Sequence, residues 1–272
     1  MPSWEDEDSA PRELNVRVAH SARMYDYYLG GKDNFTADRE AAEKVLENFP
    51  AMRTTARENR AFLRRAVTYL AAEAGIRQFL DIGTGIPSSD NTHEVAQRIA
   101  PDSRVVYVDN DPIVLMHARA LLVGDPAGST DYLEADLREP DRILEQAWTV
   151  LDPSRPVALM LISILQFLPD EEHPQDVVRR LIAALPEGSH LAISHATADF
   201  LPGGTGTRGT RIYDSAGIPL QLRDRKEILE FFSGCELIDP GLAPISEWRA
   251  DDEPGPRPPL SHAALYGGIG RI

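Results

Sequence analysis

The sequence predicts an α/β protein built on a mostly parallel, twisted β-sheet. Short apolar runs rich in β-branched residues, such as 79–82, 104–108 and 157–162, alternate with longer segments that have helical periodicity. The first run leads directly into the turn Asp81-Ile-Gly-Thr-Gly85. Because open α/β sheets bind ligands at the carboxyl ends of their strands, this turn is the expected ligand site.

The order of the elements divides the chain into three regions. Residues 1–14 are acidic and are expected to form a disordered tail. Residues 15–75 predict three helices that do not belong to the sheet, with Gly30-Gly31 ending the first helix and Pro50 preceding the third. Residues 76–272 form the predicted sheet domain.

The segment between the first two of these helices concentrates aromatic and polar side chains. Tyr25 and Tyr28 precede Gly30-Gly31, and Lys32 and Asn34 follow it. One interpretation is a lid that closes over the site and lines a substrate pocket with these four side chains. The alternative is structural, with the tyrosines packed in the core and the glycine pair acting only as a helix stop.

The turn after the first strand favours a ligand with positive charge. Gly83 and Gly85 let the backbone turn sharply beside Asp81 and Thr84 and approach a ligand without an intervening Cβ atom. No Lys or Arg lies between residues 78 and 97. An acidic mouth of this kind suits S-adenosylmethionine, which carries a sulfonium, an amino group and a ribose, better than a phosphate.

A dinucleotide is a weaker match for the same turn. The dinucleotide fingerprint places a third glycine where this chain has Ser88, beside Pro87, and runs straight into a helix. Here Asn91 and Glu94 form a capping box, so the next helix is expected to begin only after the turn. These features disfavour NAD(P).

Two further carboxylates end the next two strands. The run 104–108 leads into Asp109 and Asn110, about 20 residues past the glycines, where an acid can hold a ribose diol. That placement serves NAD and S-adenosylmethionine equally. Asp136 and Leu137 end a third predicted strand, and NAD-binding folds make no regular use of an acid there. All four residues are candidate cofactor ligands.

Together these motifs resemble those of class I S-adenosylmethionine-dependent methyltransferases. The resemblance implies a Rossmann-like fold with an antiparallel edge hairpin, and S-adenosylmethionine as cofactor. It implies that the loop Asp81–Gly85 faces the methionine part, Asp109 the ribose hydroxyls, and Asp136 with Leu137 the adenine. Pro87 departs from the pattern, because many class members have a third glycine there.

Longer motifs narrow the resemblance to a methyltransferase family long catalogued as a domain of unknown function. They span residues 22–35, 81–87 and 93–97, and the likeness extends from about Val18 to Gly270. This family likeness implies that the N-terminal helices cover the cofactor mouth.

Ser163 and Gln166 follow the fourth predicted strand, residues 157–162. The class resemblance implies that this position contacts the reacting end of the cofactor, which makes Ser163 a candidate cofactor ligand and Gln166 a candidate acceptor ligand. A strand-end cap is the alternative. The Asn/Asp-Pro-Pro-aromatic motif of amino-group methyltransferases acting on DNA bases is missing here, which argues against that chemistry.

The remaining elements complete the sheet. Residues 190–195 predict a fifth strand, and residues 235–239 and 263–269 predict two strands without an intervening helix, as the edge hairpin requires. Residues 199–224, rich in Gly, Thr and Arg, are predicted to be a mobile substrate loop, with disorder as the alternative.

Methyl transfer needs a base only if the acceptor must lose a proton. The candidates are His93, near the start of the first helix after the turn, and His195, at the end of the fifth strand. Each has a structural alternative: His93 decorates a helix cap, and His195 makes a hydrogen bond within the core.

Composition restricts the classes of partner. A net charge of −15 argues against nucleic acid, because phosphate contacts require clustered Lys and Arg. No apolar stretch reaches the ~18 residues of a membrane span. The single Cys235 permits no internal disulfide, which fits a cytoplasmic protein, and the histidines and acids have no metal-ligand spacing.

The expected function is therefore methyl transfer from S-adenosylmethionine to an oxygen or nitrogen of a small-molecule acceptor. One alternative is a non-catalytic protein that binds S-adenosylmethionine for regulation or scaffolding, since no catalytic group is evident. The other is an NAD(P)-dependent oxidoreductase, which Pro87 and Ser88 disfavour. The oligomeric state stays open.

Overall fold

The computed structural model describes residues 15–121, 124–251 and 253–272. The tail predicted over residues 1–14 lies outside the described residues. The strands are β1 (Gln78–Ile82), β2 (Arg104–Asp109), β3 (Ser129–Glu134), β4 (Ala158–Ile162), β5 (His190–Ala196), β6 (Glu236–Leu237), β7 (Ala243–Pro244) and β8 (Leu265–Arg271). The helices are α1 (Ser21–Leu29), α2 (Thr36–Asn48), α3 (Met52–Ala72), α4 (Thr92–Ile99), α5 (Pro112–Leu121), α6 (Pro140–Ala147), α7 (Pro174–Ala183), α8 (Thr205–Ser215) and α9 (Arg225–Glu230).

The strands form one sheet in the order β3-β2-β1-β4-β5-β8-β6, with β7 also paired to β8. Strands β1 to β5 are parallel to one another, whereas β8 runs antiparallel to β5, β6 and β7. This arrangement confirms the predicted mostly parallel sheet with an antiparallel edge. It also brings the carboxyl ends of β1, β2, β4 and β5 to one edge, where ligands of such sheets bind.

Helices cover both faces of the sheet, so the central strands are apolar on both sides. Phe79 and Val105 face the layer formed by α3 and α4. Leu80 and Val106, one residue further along their strands, face the layer formed by α6, α7 and α9. The alternation of adjacent residues between two buried layers explains why these strands read as continuous apolar runs.

Helix α3 is part of the sheet's core, although the sequence places it in a helical region that does not belong to the sheet. Phe62 is fully buried and belongs to the same apolar cluster as Phe79. A Cβ atom on Gly267 of β8 would lie 2.6 Å from the Phe62 ring, so only glycine lets α3 lie this close to the sheet. The predicted domain boundary at residue 75 remains a prediction, but packing across it is continuous.

Two other predictions are corrected by the fold. Residues 199–224, expected to be a mobile loop, contain helix α8, because Ile212 and Tyr213 pack against α1 and α2 and this burial outweighs the weak helix propensity of Gly and Thr. Strand β3 ends at Glu134, earlier than predicted, so Asp136 lies in the loop that follows it.

Candidate cofactor and acceptor site

A cavity of about 440 Å³ lies between the carboxyl ends of the parallel strands and the helices α1, α2, α3 and α8. Its volume is within the roughly 300–1,000 Å³ typical of small-molecule sites. Most of the predicted site residues line it. They are Tyr25, Tyr28, Asp81, Gly83, Thr84, Gly85, Asp109, Asn110, Asp136, Leu137, Ser163 and Gln166.

The glycine turn is fixed to the neighbouring strand by backbone hydrogen bonds. Gly83 and Gly85 have φ values of 77° and 67°, which favour glycine. The Gly83 N–H donates to the Val108 carbonyl at 2.8 Å, and the Gly85 N–H donates to Asp109 Oδ2 at 2.8 Å. The turn after β1 and the carboxylate after β2 therefore form one rigid unit.

Asp109 is a buried carboxylate with one hydrogen bond to each oxygen. Oδ2 accepts from Gly85, and Oδ1 accepts from the Asp111 N–H at 2.9 Å. Burial raises its pKa, and the two backbone N–H groups oppose that rise. Because each carboxylate oxygen has two lone pairs, both oxygens keep capacity for ligand hydroxyls.

Asp136 lies beside Asn110 at the next strand end. Asn110 Nδ2 donates to Asp136 Oδ2 at 2.8 Å, and the Arg138 N–H donates to Oδ1 at 2.9 Å. Burial alone would raise the pKa of Asp136, but the hydrogen bonds from Arg138 and Asn110 outweigh it and hold the pKa below its usual value. Asp136 is therefore a stable anion at the cavity rim.

Asp81, the acid of the glycine turn, is also buried. Thr92 Oγ1 donates to its Oδ2 at 2.6 Å. Burial raises the pKa of Asp81 to about 6, against the opposing effects of the Thr92 hydrogen bond and the Arg60 charge. The carboxylate thus gains from any cation that enters the cavity.

Arg60 on α3 brings a positive charge to the glycine turn, although no Lys or Arg lies near that turn in the sequence. Its Nη2 donates to the carbonyls of Ser89 and Asp90, both at 2.8 Å, and it lines the cavity. Its Nε–H is buried without a hydrogen-bond partner among the described residues. An unsatisfied buried donor of a charged group at a cavity wall is suited to an anionic group of a ligand.

Ser163 at the end of β4 has φ of 57°, an unusual value for a serine. Its Oγ accepts from Gln166 Nε2 at 2.7 Å, and Gln166 Oε1 accepts from the Ala196 N–H at 3.3 Å. Gln166 therefore ties the end of β4 to the end of β5. Ser163 lines the cavity, and its hydroxyl donates no hydrogen bond among those of the described residues.

His195, one of the two predicted bases, is fully buried beside Arg223 and does not line the cavity. Its Nδ1 lies 2.8 Å from the Ala196 carbonyl and its Nε2 lies 2.9 Å from Arg223 Nη1. Since the carbonyl can only accept and the guanidinium can only donate, the Nε2 lone pair is occupied. Burial lowers the pKa of His195 to about 3, so no free basic atom faces the acceptor.

His93 also lies away from the cavity. Its Nδ1 and its backbone N are each 2.8 Å from the hydroxyl of Tyr107 on β2, and the side chain is buried. Burial lowers its pKa. The contacts fit the structural alternative, in which His93 secures the first turn of α4 to β2.

Lys32 and Asn34, expected at the lid, do not line the cavity. Lys32 is exposed. Asn34 is buried and donates to Asp26 Oδ2 at 2.7 Å, and the Asp33 N–H donates to the same oxygen at 3.1 Å. These bonds shape the turn after α1.

Three residues that line the cavity were not predicted as site residues from the sequence. Asn59 links the sheet to α1, because Ser194 Oγ donates to its Oδ1 at 2.6 Å and its Nδ2 donates to the Tyr25 hydroxyl at 3.0 Å. Its signal was a polar residue on the apolar face of α3. Arg60 and Tyr213 gave no local signal, since their positions depend on packing between distant segments.

Comparisons with known proteins agree on one family. A family model described as S-adenosyl methyltransferase matches residues 7–272. A DUF574 family protein from Streptomyces avermitilis is 46% identical, with 95% of this chain and 99% of that chain covered and a TM-score of 0.89. A candidate methyltransferase from Thermobifida fusca is 40% identical, with 97% and 98% covered and a TM-score of 0.86.

More distant structures share the fold. A SAM-dependent methyltransferase from Anabaena variabilis is 15% identical, with 76% of this chain and 84% of that chain covered and a TM-score of 0.50. No curated protein matches the sequence.

Proposed function

Because the chain belongs to the S-adenosyl methyltransferase family, we propose that it transfers a methyl group to an oxygen or nitrogen of a small-molecule acceptor. Its fold is the Rossmann-like class I methyltransferase fold, and S-adenosylmethionine is its cofactor. The observation that carries the proposal is the continuity of the cavity, which joins the acidic strand ends to an apolar space under the helices. One cavity can therefore hold the methyl donor and the acceptor together.

The polar groups of the cavity fit S-adenosylmethionine. Asp81 would face the positive charges of the methionine part, and the unpartnered Nε–H of Arg60 would bind its carboxylate. Asp109 would hold the ribose hydroxyls through its remaining lone pairs. Asp136 and Leu137 would lie beside the adenine, as the class resemblance implies.

When bound, S-adenosylmethionine supplies a methyl group on a sulfonium that is already an excellent leaving group. The acceptor oxygen or nitrogen would bond to the methyl carbon while sulfur kept the electron pair of the broken carbon–sulfur bond, and a proton on the acceptor would be lost to solvent after the transfer. The protein's part is to hold the acceptor in line and to exclude water. Neither His93 nor His195 is needed for that part.

The two alternative functions have less support. An NAD(P)-dependent oxidoreductase would need a helix that starts at the glycine turn, whereas α4 begins at Thr92. A non-catalytic binder fits less well because the family is one of methyltransferases.

None of the helices in the described ranges could span a bilayer. We retain the cytoplasm as the proposed location, because the single cysteine allows no internal disulfide. We exclude nucleic acid as a proposed partner, because the net charge is −15. We also propose no membrane partner, because the sequence has no apolar stretch of ~18 residues.

Calorimetry with the substitution Asp109→Asn tests the cofactor site. We expect the wild-type protein to bind S-adenosylmethionine and S-adenosylhomocysteine but not NAD. The variant should lose about 1.5–3 kcal/mol of binding free energy for both, because an amide cannot accept from Gly85, Asp111 and two ribose hydroxyls together.

Asp131→Asn is the matched control, since Asp131 is an exposed acid on β3, away from the cavity. It should leave both affinities unchanged. Full affinity in Asp109→Asn, or binding of NAD to the wild-type protein, would contradict the proposed site.

A further inference from the structure

The inner part of the cavity forms an apolar chamber between α1, α2 and α8. We define this acceptor chamber by six side chains, which both line the cavity and belong to one apolar cluster: Tyr28, Val45, Met52, Phe167, Tyr213 and Ile218. Half of them are aromatic. Flat aromatic walls favour a planar ring between them, because ring faces and edges pack well against one another.

The acceptor chamber contains no charged side chain among the described residues that line the cavity. The charged groups lie at the strand ends or beside the glycine turn: Arg60, Asp81, Asp109, Asp136 and Arg138. The imidazole of His20, which also lines the cavity, lies 3.4 Å from the Asp111 carboxylate. Of the two guanidinium groups there, Arg60 is assigned through its unpartnered Nε–H to the carboxylate of the methyl donor, and Arg138 is paired with Asp136 and Glu172. An ionised acceptor in the chamber would lose its hydration without gaining an opposite charge, which is strongly unfavourable.

The chamber does offer one hydrogen-bond donor. The Tyr28 and Tyr213 hydroxyls lie 3.3 Å apart, and both side chains are buried. One hydroxyl donates to the other, so one of the two protons has no acceptor among the hydrogen bonds of the described residues. Burial raises the pKa of both phenols, that of Tyr213 to about 12, which keeps them neutral donors. A buried donor of this kind favours a ligand oxygen as its partner.

We propose that the acceptor is an uncharged aromatic molecule with a carbonyl or ether oxygen, and that this oxygen accepts a hydrogen bond from the Tyr28–Tyr213 pair. This inference rests on the proposed function and adds the class of substrate to it. The aromatic body fills the acceptor chamber, and the nucleophilic group at its other end points to the strand ends, where the methyl donor binds.

The test compares three probes on protein saturated with S-adenosylhomocysteine at pH 6, using calorimetry. The first is 7-hydroxycoumarin, a neutral bicyclic phenol with a lactone carbonyl. The second is 7-hydroxycoumarin-3-carboxylate, its anionic counterpart, and the third is 2-naphthol, which has the bicyclic frame and hydroxyl but lacks the lactone. We expect 7-hydroxycoumarin to bind at least tenfold more tightly than the carboxylate and severalfold more tightly than 2-naphthol.

Variants of the hydroxyl pair give a distinctive pattern. In Tyr28→Phe or Tyr213→Phe the remaining hydroxyl still has a free proton, so the preference for 7-hydroxycoumarin over 2-naphthol should persist. In the double variant the preference should disappear while affinity for S-adenosylhomocysteine stays within about twofold. Tyr69→Phe is the control, because Tyr69 packs against Trp248 and Arg249 outside the cavity.

Each contrary outcome has a definite meaning. Equal or tighter binding of the carboxylate would overturn the uncharged acceptor, and this comparison needs only the wild-type protein. An unchanged preference in the double variant would make the hydroxyl pair a purely structural link between α1 and α8. If S-adenosylhomocysteine binds but none of the probes does, the acceptor class is overturned and the cofactor site stands. If S-adenosylhomocysteine does not bind, the proposed function falls as well.

Discussion

At the scale of single residues, burial has two opposing effects on the Asp81 carboxylate. Its carboxylate is almost completely removed from water, which disfavours the ionised form. The same desolvation strengthens its attraction for a cation, because little solvent screens the charge. A buried acid at the glycine turn is thus unfavourable for the empty protein and favourable for the complex with a sulfonium and an ammonium.

The raised pKa of Asp81 predicts a specific dependence of stability on pH. Its pKa is about 6 in the folded protein, against an ordinary value of 3.8 for the free side chain, so the folded state binds the proton more tightly than the unfolded state. Below about pH 3.8 this group has no effect; as pH rises to about 6 it costs stability, and above that the cost is constant. The full cost is about 3 kcal/mol, from the two pKa values.

Asp81→Asn removes this cost and keeps an oxygen that can accept from Thr92. We expect the variant to be more stable than wild type at pH 7 by up to about 3 kcal/mol, with the gain shrinking toward pH 4. Urea unfolding at several pH values measures it. We expect weaker binding of S-adenosylmethionine in the same variant. A difference in stability that does not vary with pH would show that Asp81 ionises normally.

Some site residues are predictable from sequence because topology alone places them. The carboxyl ends of parallel strands meet at one edge, so Asp81 and Asp109 line one cavity without any long-range information. Arg60 and Tyr213 are not predictable in this way. Each reaches the cavity only because its helix packs against a segment far away in sequence.

At the scale of elements, the turn after α1 depends on a missing side chain. Gly31 lies against the Asp26 carboxylate, and a Cβ atom there would be 1.9 Å from Asp26 Oδ1. Asp26 in turn accepts from Asp33 and Asn34. These contacts explain the polar segment after α1 as a structural turn.

Gly31→Ala should therefore displace Asp26 and break the bonds to Asp33 and Asn34. We expect a loss of about 2 kcal/mol in the free energy of unfolding, from two hydrogen bonds to a charged group. Gly203→Ala is the control, since nothing lies within 4 Å of a Cβ atom there. Thermal unfolding of both variants measures the difference. Equal melting temperatures would mean that the turn adapts without the Asp26 contacts.

Elements differ in how far their local sequence determines them. The capping box of Asn91 and Glu94 starts α4 as predicted, because both partners lie within one helical turn. Helix α8 was missed because its own residues favour loops, and its stability comes from burying Ile212 and Tyr213 against α1 and α2. Local signals find the first kind of helix and fail for the second.

At the scale of the whole molecule, the cavity lies between the sheet and the helical cover. A ligand bound there contacts both, so binding should stabilise both. Saturation with S-adenosylhomocysteine at 100 times its Kd should add about 2.7 kcal/mol to the free energy of unfolding.

Hydrogen exchange should locate this stabilisation. We expect slower amide exchange in α1, α8 and the loop after β1, and little change in α6 and α7, which pack on the opposite face of the sheet. Mass spectrometry with and without S-adenosylhomocysteine measures it. Slower exchange at the strand ends alone would contradict a cover that takes part in binding.

The close approach of Phe62 to Gly267 has a consequence for the thermodynamics of recognition. It fixes α3 to the sheet, and α3 carries Asn59 and Arg60 to the cavity wall. The conformational entropy of these two polar side chains is therefore lost during folding, before a ligand binds. Replacing Gly267 by a residue with a side chain would loosen the packing of α3. Asn59 and Arg60 would then have to be ordered when the methyl donor binds, so the donor would bind more slowly and more weakly.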